Sequence, residues 1–215
     1  EGFVFRVDMR LRPNGDSGPL VCSLAMLEEY FSVQGREWER YAWIKGRMIH
    51  PSGSCASQAR AQKALQDLVR PFVYRRYLDF GVIAAIRELH AQIQQEAEKR
   101  SLSHPERAAD IKLGRGGIRE IEFMAQMFQL VRGGQDPGLR IRPTLQVLAA
   151  VHERQLISLD DLEKLTQAYL YLRKLEHRLQ YWEDAQTHHL PLDDQAQTRI
   201  AEAMGHADLD EFRVI

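Results

Sequence analysis

Cysteine is nearly missing: Cys22 and Cys55 are the only two in 215 residues, and no CxxC spacing occurs. Neither a disulfide scaffold nor a cysteine-built zinc site is indicated, and a reducing cytoplasm fits. No apolar run approaches the roughly 20 residues that a membrane-spanning helix needs, and no signal-peptide core is present, so no membrane partner is expected. Internal repeats and low-complexity tracts are also wanting. An excess of one charge is lacking too, because 29 basic and 30 acidic residues leave a net charge of −1. That balance argues against affinity built on neutralising many phosphates, so nucleic acid is not an expected partner.

What is there is ordinary for a soluble globular chain, with 44% apolar and 27% charged residues. The length suits one large domain or two small ones. The chain opens directly inside a strand pattern without an initiator Met, which reads as a fragment of something longer.

That strand is Phe3-Val-Phe-Arg-Val-Asp-Met-Arg-Leu-Arg-Pro13. Side chains alternate across an extended strand, so Phe3, Phe5, Val7, Met9 and Leu11 line one face and Arg6, Asp8, Arg10 and Arg12 the other. One carboxylate among three guanidiniums reads as a place that holds a metal and phosphates. Pro13 and the turn-rich Asn14-Gly-Asp-Ser-Gly-Pro19 stop the strand and put Asp8 near its end, within reach of a cleft. Magnesium takes hard oxygen ligands, and two-metal phosphoryl transfer needs several carboxylates. Asp8 supplies one, while Arg10 and Arg12 can hold phosphate oxygens bidentately. Further acids come either from downstream, with Glu120 and Glu122 as candidates, or from an acidic pair upstream of residue 1.

The remainder is patterned as helices. Ser23 caps a helix carrying Leu24, Leu27 and Phe31 that ends at Gly35. In residues 36–49 one stripe holds Trp38, Tyr41, Ala42 and Lys45; the aromatics read as core, and Lys45 and Arg47 as candidate ligand contacts. A polar helix over 59–69 is halted by Pro71. A periodic pattern then includes Val82, Ile86, Leu89 and Ile93, with His90 as a core histidine on its apolar stripe. Later helices carry Leu145, Leu148 and Val151, and then Leu162, Leu165, Tyr169, Leu172, Leu175, Leu179 and Trp182. The outer face of the latter, with Arg173, Lys174, Glu176 and Arg178, reads as solvated or partner-facing. His188-His189 falls in a loop before Pro191 and lacks the further ligands that a metal site requires.

A second distinctive stretch is Asp110-Ile-Lys-Leu-Gly-Arg-Gly-Gly-Ile-Arg-Glu-Ile-Glu-Phe123. Gly114, Gly116 and Gly117 precede a helix whose inward face holds Ile118, Ile121, Ala125 and Phe128. Exposed N–H groups at such a helix start can hold an anion, with Lys112, Arg115 and Arg119 adding positive charge. The other reading is a tight turn and a well-capped helix, with Glu120 and Glu122 in the first turns. The spacing is neither a Walker loop nor a dinucleotide fingerprint.

Taken together, Val7-Asp-Met-Arg-Leu-Arg-Pro13, Ser17-Gly-Pro-Leu20, Arg36-Glu-Trp-Glu-Arg-Tyr-Ala42, Arg70-Pro-Phe-Val-Tyr-Arg-Arg-Tyr77 and Lys112-Leu-Gly-Arg-Gly-Gly-Ile-Arg-Glu-Ile-Glu-Phe123 resemble the bifunctional glutamine synthetase adenylyltransferase/adenylyl-removing enzymes. The resemblance implies two related halves, each a polymerase-β-like nucleotidyltransferase domain followed by helices. It implies a Gly-Ser-x-Asp-x-Asp motif plus a later Asp that Asp8 matches. The first two acids are not in this chain, so the fragment alone is not expected to act. The Lys-Leu-Gly-x-Gly-Gly-Ile-Arg-Glu form favours the amino-terminal, adenylyl-removing half. The implied reaction is phosphorolysis: phosphate attacks the AMP phosphorus, displaces the tyrosyl oxygen of the synthetase and leaves as ADP, with Mg2+ at Asp8. In the whole enzyme ATP supplies AMP for the reverse regulation. Glutamine synthetase and a PII signal protein are the implied partners. Lys45, Arg47, Lys112, Arg119, Glu120 and Glu122 are carried as candidate nucleotide contacts, and Asp8, Arg10 and Arg12 as catalytic. The fold expected is mainly α, a helical bundle following the terminal strands of the catalytic domain. Its domains are residues 1–50, connecting helices 51–110 and a bundle 111–215. The competing readings are a non-catalytic helical docking module for the synthetase or a PII-type regulator, and a related uridylyltransferase.

Overall fold

In the computed structural model the described residues are Met9, 12–49, 55–77, 110–181 and 187–214, with scattered positions between 84 and 99. They are mainly α-helical, as expected, and among them the sole β pairing is an isolated bridge between Asp110 and His189. The strand over residues 3–11, apart from Met9, lies outside the described residues, as do Asp8, Arg10, His90 and Trp182. The chain divides into two units, Glu1–Arg75 and Arg76–Ile215.

In the first unit, helix α1 spans Leu24–Val33, and its cap is the predicted one: Ser23 Oγ accepts from Met26 N at 3.1 Å. Helix α2 spans Glu37–Ile44, and the Glu39 carboxylate reaches back to Arg36 N at 2.8 Å. Helix α3 spans Cys55–Val73, so it runs through Pro71 instead of stopping there. A proline in the last turn removes one hydrogen bond, and burial of Phe72 and Val73, 7% and 2% exposed, outweighs that loss. The core is aromatic. Phe31 stacks on Phe72 with centroids 4.0 Å apart and meets Trp43 edge-on at 5.7 Å. Gly35 lets these rings close, because a Cβ there would stand 2.5 Å from Phe72 Cε2.

The buried side of α2 differs from the aromatic stripe. Trp38 is 39% exposed, whereas Glu39, Arg40 and Ile44 are buried. Arg40 can turn inward because Glu37 Oε2 accepts its guanidinium proton at 2.7 Å and the Phe72 ring lies beneath it at 5.7 Å. Burial in turn pushes the Glu37 carboxyl above its ordinary value, with Arg75 opposing the shift.

The second unit contains α4 (Ile118–Arg132), α5 (Thr144–Glu153), α6 (Leu159–Tyr181), α7 (Asp194–Met204) and α8 (Leu209–Val214). Its apolar interior has two parts. Ile121 and Ala125 of α4 pack with Val147, Leu148 and Val151 of α5 and with Leu162, Leu165 and Tyr169 from the first half of α6. Leu175 and Leu179 from its second half pack with Ile200, Ala201 and Met204 of α7, with Phe212 of α8 and with Ile111. Leu172 touches both parts. Gln129 pins the α4–α5 connection, donating from Nε2 to Leu139 O and Ile141 O, each at 2.6 Å.

Candidate functional site

The glycine-rich stretch before α4 folds on itself. Asp110 Oδ1 accepts from Lys112 N at 2.9 Å and Leu113 N at 2.8 Å, forming an Asx turn. Gly116 sits at φ +75°, a left-handed conformation that suits glycine. A Cβ at Gly117 would stand 2.8–2.9 Å from three backbone oxygens, those of Gly114, Ile111 and Lys112. The N–H groups around the helix start all donate within the loop: Gly117 to Gly114 O, Ile118 to Ile111 O, Arg119 to Lys112 O and Glu120 to Gly117 O, at 3.0–3.1 Å. Gly116 N donates to Glu120 Oε2 at 3.0 Å. The backbone therefore has the capped-turn form, and an anion here would be met by side chains.

Of the charged side chains here, Lys112 and Glu122 are tied to α6. Lys112 Nζ donates to Glu176 Oε1 at 3.1 Å and Arg173 to Glu176 Oε2 at 2.6 Å. Glu176 is 2% exposed, so its buried charge is compensated by two cations that keep partial contact with water. Glu122 Oε1 accepts from Tyr169 Oη at 3.0 Å. Burial, reinforced by Glu122, pushes the Tyr169 phenol above its ordinary value. Arg115 and Arg119 are exposed. Glu120 also borders an apolar hollow of about 560 Å³ along α4, beside Phe123, Met127 and Leu156.

In the first unit, Arg12 turns onto its own loop. Its Nε donates to Gly18 O at 3.1 Å, one terminal nitrogen donates to Asp16 O at 3.3 Å, and the other to Met9 O. Lys45 follows the last turn of α2, where its N–H donates to Ala42 O, and Arg47 is exposed just beyond.

Two family descriptions match the chain. The one described as GlnD PII-uridylyltransferase matches residues 87–213, and the one described as glutamate-ammonia ligase adenylyltransferase matches residues 1–64. Relatives named bifunctional glutamine synthetase adenylyltransferase/adenylyl-removing enzyme match nearly the whole chain. That of Burkholderia mallei is 64% identical over 97% of this chain and 22% of its own length. That of Ralstonia nicotianae is 64% identical over 97% and 23%, and that of Neisseria meningitidis 47% over 99% and 22%. The chain belongs to the bifunctional glutamine synthetase adenylyltransferase/adenylyl-removing family.

This family member spans 22% of the length of the first relatives it matches. The uridylyltransferase match lies on its second unit, so the likeness to uridylyltransferases resides in the helices. Within that unit the structure brings Lys112, Glu120 and Glu122 together around one loop and helix; Arg12, Lys45 and Arg47 belong to the other unit. Sequence reasoning missed Glu176 and Tyr169 as partners of this loop. The signal was present for Glu176: it stands four residues after Leu172 and three before Leu179, on the apolar stripe and not opposite it.

Proposed function

We propose that this chain is part of a nucleotidyltransferase that regulates glutamine synthetase by removing AMP from a tyrosine and, in the whole enzyme, adding it. The observation that carries the reading is the 64% identity, along 97% of the chain, to relatives that bear both activities in their name. Removal is phosphorolysis: a phosphate oxygen bonds to the AMP phosphorus, the bond to the tyrosyl oxygen breaks, that oxygen takes a proton, and ADP leaves. Glutamine synthetase is the protein substrate and a PII protein the regulator.

Within this scheme Asp8 is a carboxylate ligand, and Arg10 offers a bidentate fork to phosphate oxygens. Magnesium suits an oxygen donor of this kind and supplies polarisation of the phosphorus centre. Arg12 is a positioning residue, because three of its nitrogens hold the carbonyls of Met9, Asp16 and Gly18 and so shape the loop over residues 12–18. Lys112 and Glu122 hold the second unit's loop against α6, and the exposed Arg119 is left to meet an anion. Among the described residues no helix is long and apolar enough to cross a membrane.

The test uses the full-length enzyme with adenylylated glutamine synthetase, phosphate and magnesium. Asp8→Ala is expected to abolish ADP release while leaving binding of the synthetase intact. Unchanged turnover refutes the role of Asp8. Synthetase binding without any ADP release by the unsubstituted enzyme would favour the docking reading.

A further inference from the structure

The segment that follows α6 returns beside the start of the glycine-rich loop. Asp110 and His189 form an antiparallel bridge, and Ile111 N donates to His188 O at 3.0 Å. This pairing sets three metal-ligating side chains together. His188 Nε2 lies 3.4 Å from Asp110 Oδ2, and His189 Nδ1 lies 3.9 Å from the same oxygen. One donor atom from each of the three residues falls within 4.8 Å of the others. The imidazole rings are neighbours, with centroids 4.7 Å apart and planes tilted by 41°.

The carboxylate is divided between two tasks. Oδ1 accepts the N–H groups of Lys112 and Leu113, while Oδ2 faces both histidines. Backbone hydrogen bonds of this kind orient a metal-ligating carboxylate as outer-shell partners do. The side chains are half-buried, 13% exposed for Asp110, 30% for His188 and 26% for His189. An ordinary aspartate–histidine pair uses one imidazole; here two converge on one oxygen. A tetrahedral ion with bonds of about 2.0–2.2 Å holds its donors roughly 3.3–3.6 Å apart. The His188–Asp110 contact at 3.4 Å already has that spacing, and the wider ones, 3.9 Å and up to 4.8 Å, draw in on binding. Two imidazole nitrogens with one carboxylate suit zinc and the neighbouring late ions, whereas magnesium prefers an oxygen shell.

We propose that Asp110, His188 and His189 bind one late divalent transition-metal ion of the zinc type, with the fourth position open to water. The ion clasps the return after α6 to the first residue of the loop that α6 also holds through Glu176. The proposal stands on these three residues alone.

Untagged, metal-stripped chain is titrated with zinc chloride by equilibrium dialysis, and with cobalt chloride followed by visible absorption. One equivalent of zinc per chain at micromolar free metal is expected, with cobalt d–d bands of four- or five-coordinate intensity. His188→Ala and His189→Ala are each expected to weaken zinc binding by more than the roughly 10- to 100-fold that an outer-shell change causes. Asp110→Asn keeps an Oδ1 acceptor for the turn, so it separates loss of the ligand from loss of the fold, which far-ultraviolet circular dichroism monitors. It is expected to fold and to bind zinc weakly. Replacing the exposed His177 by alanine leaves binding unchanged. No saturable binding to the unsubstituted chain overturns the proposal. So does undiminished zinc binding in folded Asp110→Asn or in the double variant His188→Ala/His189→Ala.

Discussion

Replacing Glu176 by glutamine takes one charge out of the interior of the second unit while leaving shape and volume almost unchanged. Glu176 is 2% exposed and accepts from Lys112 at 3.1 Å and from Arg173 at 2.6 Å. Glutamine offers one acceptor oxygen, so one cation loses its partner and faces an amide N–H. Hydrogen bonds to charged groups contribute about 1.5–3 kcal/mol each. Breaking a fully buried pair costs about 3–5 kcal/mol because a charge is stranded. Here the cations are 41% and 37% exposed and can turn to water, which places the expected loss near 2 kcal/mol. Lys112→Met is the comparison: it keeps the apolar stem and leaves Glu176 paired with Arg173, so a loss near 1 kcal/mol is expected. Urea unfolding of the three proteins, extrapolated linearly with a common slope, reads both values. If Glu176→Gln unfolds at the midpoint of the unsubstituted chain, or Lys112→Met loses more than Glu176→Gln, the buried carboxylate is not the hub of this cluster.

Two glycines of the same loop differ in kind. Gly116→Ala forces a side chain onto φ +75° with open space around it, for about 1 kcal/mol, whereas Gly117→Ala drives a Cβ against three carbonyl oxygens and is expected to cost more; equal midpoints in urea would contradict this. Asp136 forms a two-point pair with Arg154, whose hydrogen bonding holds the Asp136 carboxyl below its ordinary value. The native state therefore binds fewer protons there than the unfolded chain. The stabilisation is complete above the unfolded value of about 3.9 and is lost as pH falls through the lower native one. Asp136→Asn should flatten that part of the acid-unfolding profile, and an unaltered profile would refute the assignment.

Local grammar explains what could be read in advance. Ser23 announces α1 because its hydroxyl satisfies an N–H within three residues, and the periodic leucines of α6 mark their own buried stripe. The mainly helical character followed from such short-range signals. Trp38 misled because hydrophobicity alone assigns the aromatic inward; the inward position of Arg40 depends on Glu37 and on a ring contributed by α3. Pro71 misled for a related reason, since the stacking of Phe72 on Phe31 and the burial of Val73 sustain the turn. The largest omission was distance in sequence. Lys112 meets Glu176 across a separation of 64 residues, and Asp110 meets His188 and His189 only after the chain has run out along α6 and come back. No periodicity in either stretch records that return.

A helix that belongs to two interiors at once makes length a constraint in its own right. Adding or removing one residue near Leu172 would turn the half of α6 bearing Leu175 and Leu179 by about 100° against the half bearing Leu162 and Leu165. One set of leucines would then leave its partners, whichever side adjusted. The middle of α6 should consequently accept many exchanges of side chain and almost no insertion or deletion, and the spacing between the two leucine groups is its most restrictive inheritance.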